Sequence, residues 1–143
     1  MKNWYKVTVR YVKEQEDGSL KKLTESYLFD AVCFKEAEEL AHEEIGATCR
    51  GEFQVASIKE EKYSDVIVTD EEEWFDVKYR TMNVDADSGK EKWHTVKILV
   101  NAYSLTKAMD YAFDEISRHV SVFTLASIAK TKIIDVFSQS ENV

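Results

Sequence analysis

From Trp4 to Val12 the chain alternates. Tyr5, Val7, Val9 and Tyr11 fall on one side, Trp4, Lys6, Thr8 and Arg10 on the other, the period of two that marks a half-buried strand. Asp17-Gly18 separates this run from Leu23–Phe29 and predicts a hairpin, because glycine takes positive φ without strain. The spacing then lengthens. Ala37, Leu40, Ala41, Glu44 and Ile45 line one face of a helix, with Cys33 as a weak N-cap and Gly46 suited to the position just past its end. A third strand runs from Phe53 to about Val68. It is long against the usual strand of about 5–6 residues, so a bend or bulge near Glu60-Glu61 is expected, splitting it in two.

The same order is then written again. "WYKVTVR" at Trp4 aligns with "WFDVKYR" at Trp74, "DAVCFKEAEELAHEEI" at Asp30 with "NAYSLTKAMDYAFDEI" at Asn101, and "FQVASIKEEKYSDVI" at Phe53 with "FTLASIAKTKIIDVF" at Phe123. Across these segments 15 of 38 positions agree, where average composition predicts on the order of two or three. The offset rises from 70 to 71 at the turn and returns to 70 before the third strand, so both length changes fall in loops. The second half thus predicts strands at Trp74–Met82 and Trp93–Val100 around Ser88-Gly89, a helix capped by Ser104, and a third strand from Val122 to about Phe137 with a break near Lys130-Thr131. The expected fold is α+β: two tandem ββαβ repeats, about 3–68 and 73–138, joined by a short acidic linker at 69–73. They form one pseudo-two-fold domain over 1–143, with a mainly antiparallel sheet structure and helices on one face.

Composition supports a folded chain. Its 143 residues are 44% hydrophobic and 12% aromatic, without proline and with four glycines. Cys33 and Cys49 match no zinc or disulfide spacing, and Cys33 reads as a small buried hydrophobe. The charged start and the lack of a long apolar window exclude a leader or membrane span and point to a reducing cytoplasm. A net charge of −8 argues against a general polyanion binder but leaves room for a local basic stripe.

Few residues suggest chemistry. His42, His94 and His119 make no metal or base spacing, with His119 expected just after the second helix; the acids of the first helix and of 70–73 read as solvated faces. Ser57 and Ser127, in the shared Ala-Ser-Ile, lack a nucleophile's setting and are expected to pack against a helix or the sister half. No catalytic residue, metal site or cofactor is predicted, and the reading is non-catalytic. The remaining candidates are Trp4, Lys6 and Arg10 with their counterparts Trp74, Lys78 and Arg80, one interleaved aromatic and basic face in each half. Such faces hold single-stranded nucleic acid, by base stacking and phosphate contact. The competing account buries the tryptophans in an interface, making the chain a module for a protein partner or a homo-oligomer.

With the Trp-Tyr/Phe strand start, the "FKEAEELA" helix and the "ASI…DV" strand in view, the chain resembles, over Trp4–Phe137, an uncharacterised family of small proteins from anaerobic gut bacteria and their bacteriophages. The resemblance implies a phage or mobile-element setting, where accessory proteins of DNA metabolism are common, and assigns no residue a role.

Overall fold

Alternation in the first half produces two long strands, β1 (Asn3–Glu14) and β2 (Leu20–Ala31), paired antiparallel with Tyr5 opposite Phe29 and Val9 opposite Glu25. A helix α1 (Phe34–Thr48), a strand β3 (Phe53–Glu61) and a short strand β4 (Asp65–Ile67) follow. The second half runs β5 (Glu73–Val84), β6 (Glu91–Ala102), α2 (Leu105–His119), β7 (Phe123–Lys130) and β8 (Ile133–Phe137). The computed structural model describes residues 3–48 and 52–138, so the Cys49 reading lies outside the described residues.

The architecture is mixed α/β, with two helices and two mainly antiparallel sheets ordered β3-β1-β2-β8 and β4-β6-β5-β7. The breaks expected after Glu60-Glu61 and at Lys130-Thr131 are present, but the strand beyond each break does not continue its own sheet. β4 pairs parallel with β6, and β8 pairs parallel with β2. Accordingly the chain divides into two compact units: a first holding residues up to Lys62 and from Lys132 on, and a second holding Tyr63–Thr131.

In the first unit α1 sets Ala37, Ala41 and Ile45 on Tyr5, Val7, Val9, Phe29 and Ala31, all buried. The alanines let the helix approach the sheet closely, and Phe137 from β8 stacks on Phe29 with centroids 5.0 Å apart. In the second unit α2 sets Ala108, Ala112 and Ile116 on Phe75, Val77, Tyr79, Ile98 and Val100. Ser104 caps α2 as expected, its hydroxyl accepting from the Lys107 amide at 3.2 Å.

The shared Ala-Ser-Ile is a bulge in both units. Thr8 pairs with Ser57 and Val9 with Val55, leaving Ala56 unopposed; Lys78 pairs with Ser127 and Tyr79 with Leu125, leaving Ala126 unopposed. One extra residue on an edge strand raises local twist and spoils the edge as a template for further pairing. It also turns Ser57 and Ser127 away from the helices into exposed positions, correcting their expected packing against a helix.

Other corrections are local. α1 runs on through Gly46 to Thr48, because nothing there demands a left-handed residue; positive φ is confined to Gly18 and Gly89 in the hairpins among the described residues. Cys33 is exposed, at the corner between β2 and α1. His119 is the last residue of α2, 3.2 Å from Glu115, rather than beyond it. The hairpins account for the change of offset. The Gln15 amide donates to Ser19 O across three residues, and the Asp85 amide to Lys90 O across four, with a glycine at positive φ ending each loop.

Candidate functional site: the helix-free sheet faces

Strand alternation puts Trp4, Lys6, Thr8 and Arg10 of β1 on the face opposite α1, and Trp74, Asp76, Lys78 and Arg80 of β5 on the face opposite α2. Each set shares a face, as expected, but its members differ in access. Trp4 is 6% exposed and Trp74 4%, so neither ring offers a surface for stacking. Register explains the burial. Trp4 lies opposite Asp30 and Glu61, one ladder step from fully buried Leu28; Trp74 lies opposite Asn101, one step from fully buried Leu99. That end of each face is closed to solvent, which corrects the choice of Trp4 and Trp74 as platforms.

The cations lie toward the other end. In the first unit Lys6 sits 3.7 Å from the Glu61 carboxylate, and Arg10 is exposed between Thr24 and Gln54. In the second unit Lys78 and Arg80 are exposed, and among the described residues neither is held in an ion pair. Lys78 faces Lys97 directly across the ladder. Lys97 Nζ lies 4.4 Å above the Tyr63 ring, whose hydroxyl donates to Asp76 Oδ1 at 2.6 Å. Arg80 Cζ lies 5.5 Å from the centre of the Trp93 ring, and Trp93 is 47% exposed. A ring backed by a guanidinium is a rigid stacking surface with a phosphate-seeking charge beside it.

Trp93 and Lys97 were not among the candidates read from the sequence. Their signal was present, since alternation counted back from Ser88-Gly89 puts both on the face of Lys78 and Arg80.

Asn101, fully buried, closes the covered end of this face. Its amide nitrogen donates to the carbonyls of Glu71 and Glu73 at 2.9 Å, and its oxygen accepts from the amides of Thr69 and Glu71 at 3.2 and 3.1 Å. One side chain thus fixes the acidic 69–73 segment. On the helix side, burial and then the nearby Asp65 carboxylate push the Tyr79 phenol up, while burial, then Glu60 and Cys33, do the same for Tyr5. Both phenols stay neutral core groups.

The described residues hold no group of three or more His, Cys, Asp or Glu able to bind a metal ion, and no helix long and apolar enough to cross a membrane. No curated protein matches the chain, and no solved structure does. Residues 3–139 match the family described as Domain of unknown function (DUF4494), and the chain belongs to that family.

Proposed function

We propose that this is a non-catalytic accessory protein of phage or mobile-element DNA metabolism that binds single-stranded nucleic acid through the helix-free face of its second unit. One observation carries the reading. Where the first unit sets Thr8 opposite Ser26, with hydroxyls 3.0 Å apart, the second sets Lys78 opposite Lys97. Like charges opposed across a ladder repel; the Tyr63 ring engages Lys97, while Lys78 opposite it stays exposed, and the two together give this face a concentration of positive charge suited to an anion. Exposed Trp93 beside Arg80 supplies a surface for an unpaired base, which a duplex would hide. The −8 net charge leaves this patch as a local exception and limits non-specific binding.

We further propose that the chain arose by duplication of a ββαβ unit and folds as one pseudo-two-fold domain. Support comes from the 15 of 38 matched positions and from the equivalent exchange of the last strand of each half. The phage setting and a cytoplasmic location rest on the family resemblance and the sequence reading.

Titrating an oligothymidylate into the protein at low salt tests the function. Trp4 and Trp74 are buried, so Trp93 dominates the quenchable signal. Quenching that weakens with salt, and is lost in Trp93→Phe, is expected; an unchanged emission at low salt would sink the reading, because phosphate attraction is greatest there.

A further inference from the structure

The outer side of α2 carries apolar residues that folding leaves about half exposed. Leu105, Met109 and Phe113 recur every fourth residue and are 52%, 43% and 53% exposed. Residues so spaced lie one above another on a helix, so they form a continuous stripe. The stripe is joined to the core by rings: Phe113 lies 5.2 Å from Phe123 on β7, and Phe123 lies 6.1 Å from buried Tyr79. Beside it an open groove of about 810 Å³ runs between α2 and β7, lined by Met109, Phe113, Phe123 and Leu125 and by the carboxylates Asp110 and Asp114. The aligned positions on α1 are Phe34, Glu38 and His42; Phe34 and His42 lie 4.9 and 5.3 Å from Tyr5 and Phe53, so the ring contacts recur, but Glu38 stands where Met109 completes the apolar stripe of α2.

We propose that the α2–β7 groove docks a basic amphipathic helix of a partner protein. An apolar helical stripe with a flanking groove is the receiving half of helix-in-groove recognition, and methionine adapts its shape to the guest. Charge selects the guest. Asp110 and Asp114 take no ion pair among the described residues, whereas Glu115 on the same helix is engaged by Arg118 and His119 at 3.2 Å. Among the described residues, Lys107 is the one cation lining the groove. On the other helix Glu36, Glu38, Glu39, Glu43 and Glu44 face one lysine, Lys35, so both helices carry an excess of acid. A second copy is disfavoured as the occupant, since it would bring another net charge of −8 against the same acids. β-Strand addition is disfavoured too, because the bulge at Ala126 interrupts the free edge of β7.

The test uses the full chain and two fluorescein-labelled peptides of about 20 residues with the same leucine stripe, one with a Lys/Arg polar face and one with a Glu polar face. Anisotropy is expected to show the basic peptide binding at least about tenfold more tightly at low salt. Met109→Ser with Phe113→Ser should weaken it by about tenfold or more. Asp110→Asn with Asp114→Asn should weaken it less and flatten its salt dependence, while Glu38→Gln on α1 serves as control. Circular dichroism confirms that the variants fold, as expected for exposed positions, and oligonucleotide binding should be the same in all of them. Equal affinity for the two peptides, no binding of the basic one, or wild-type affinity in the serine variant overturns the proposal. So does sedimentation showing a dimer that the serine variant abolishes, because the occupant is then a second copy.

Discussion

The two units share a scaffold and differ on its surfaces. Inward positions match: Val7 and Val77, Leu28 and Leu99, Ala37 and Ala108, Ala41 and Ala112, Ile45 and Ile116; so do the exposed, bulged Ala56 and Ala126. Outward positions are replaced by residues of a different kind. Thr8 and Ser26 give way to Lys78 and Lys97, Lys22 to Trp93, and Glu38 and His42 to Met109 and Phe113. Even the buried pair at the end of β2 and β6 divides. Asn101 makes a full set of bonds to 69–73, whereas among the described residues Asp30 accepts one long bond, 3.4 Å, from Ser138. The lesson is one of allocation: packing holds the inward positions alike in the two units, and the outward positions are where their side chains differ in charge and polarity.

Loss of an exchanged strand should be the most damaging change. β8 covers Leu28 and Phe29, both fully buried, and contributes buried Ile133, whereas the three residues of β4 contain no fully buried side chain. Burying a Leu or Phe contributes about 1.5–3 kcal/mol, so a chain ending at Thr131 should lose about 5 kcal/mol or more, comparable with a whole domain's stability. Its thermal transition should disappear, whereas Val66→Gly with Ile67→Gly should only lower it; a truncated chain that melts with the full one would refute the role given to β8.

Asn101→Ala comes next, at about 2–4 kcal/mol, because it strands the amides of Thr69 and Glu71 and two carbonyls. Asp30→Ala should cost less than about 1 kcal/mol. Urea titrations giving equal losses would show that the two sites are not the contrast described. Smaller again is the lysine pair. Lys78→Ser with Lys97→Ser makes the second unit resemble the first, and should reduce the salt slope of oligonucleotide binding by about 1.4, from about 0.7 per lost phosphate contact. Stability should change little, because the relief of repulsion, a few tenths of a kcal/mol, is offset by loss of the Lys97 contact with the Tyr63 ring, about 0.5–1 kcal/mol. An unchanged slope would remove both lysines from the interface.

Much of this was legible from spacing alone. Alternation placed Trp4–Val12 and Trp74–Met82 as strands, the alanine spacing placed both helices, and Ser104 was identified as a cap, because these features depend on neighbours within a few residues. The exchange of β4 and β8 was not, since three and five residues of apolar strand carry no mark of which sheet receives them. The tryptophans show the same boundary. Alternation puts Trp4, Trp74 and Trp93 on helix-free faces, but the closing of one end of each face depends on tertiary packing, which has no period. The Ala-Ser-Ile repeat was visible as a coincidence of letters, and only the register reveals it as a bulge.

The finest contrast lies in the hairpin turns. Asp17 is held below the usual carboxylate range first by the Ser19 hydroxyl and then by the Ser19 amide; Asp85 is held there by the amides of Asp87 and Ser88, the nearer at 2.9 Å. A folded value below the unfolded one means that each turn contributes stability above about pH 3.9, the ordinary aspartate value, and loses it as pH falls through the lowered one. The partners differ in what mutation can reach. Ser19→Ala deletes the larger cause at Asp17, while Ser88→Ala leaves the Asp87 amide in place at Asp85. Carboxyl titration by NMR should therefore show Asp17 moving up toward its ordinary value in Ser19→Ala and Asp85 scarcely moving in Ser88→Ala. Equal movement would mean that the two turns, three residues and four, hold their aspartates by the same means, and that the added residue changed length without changing the chemistry of the turn.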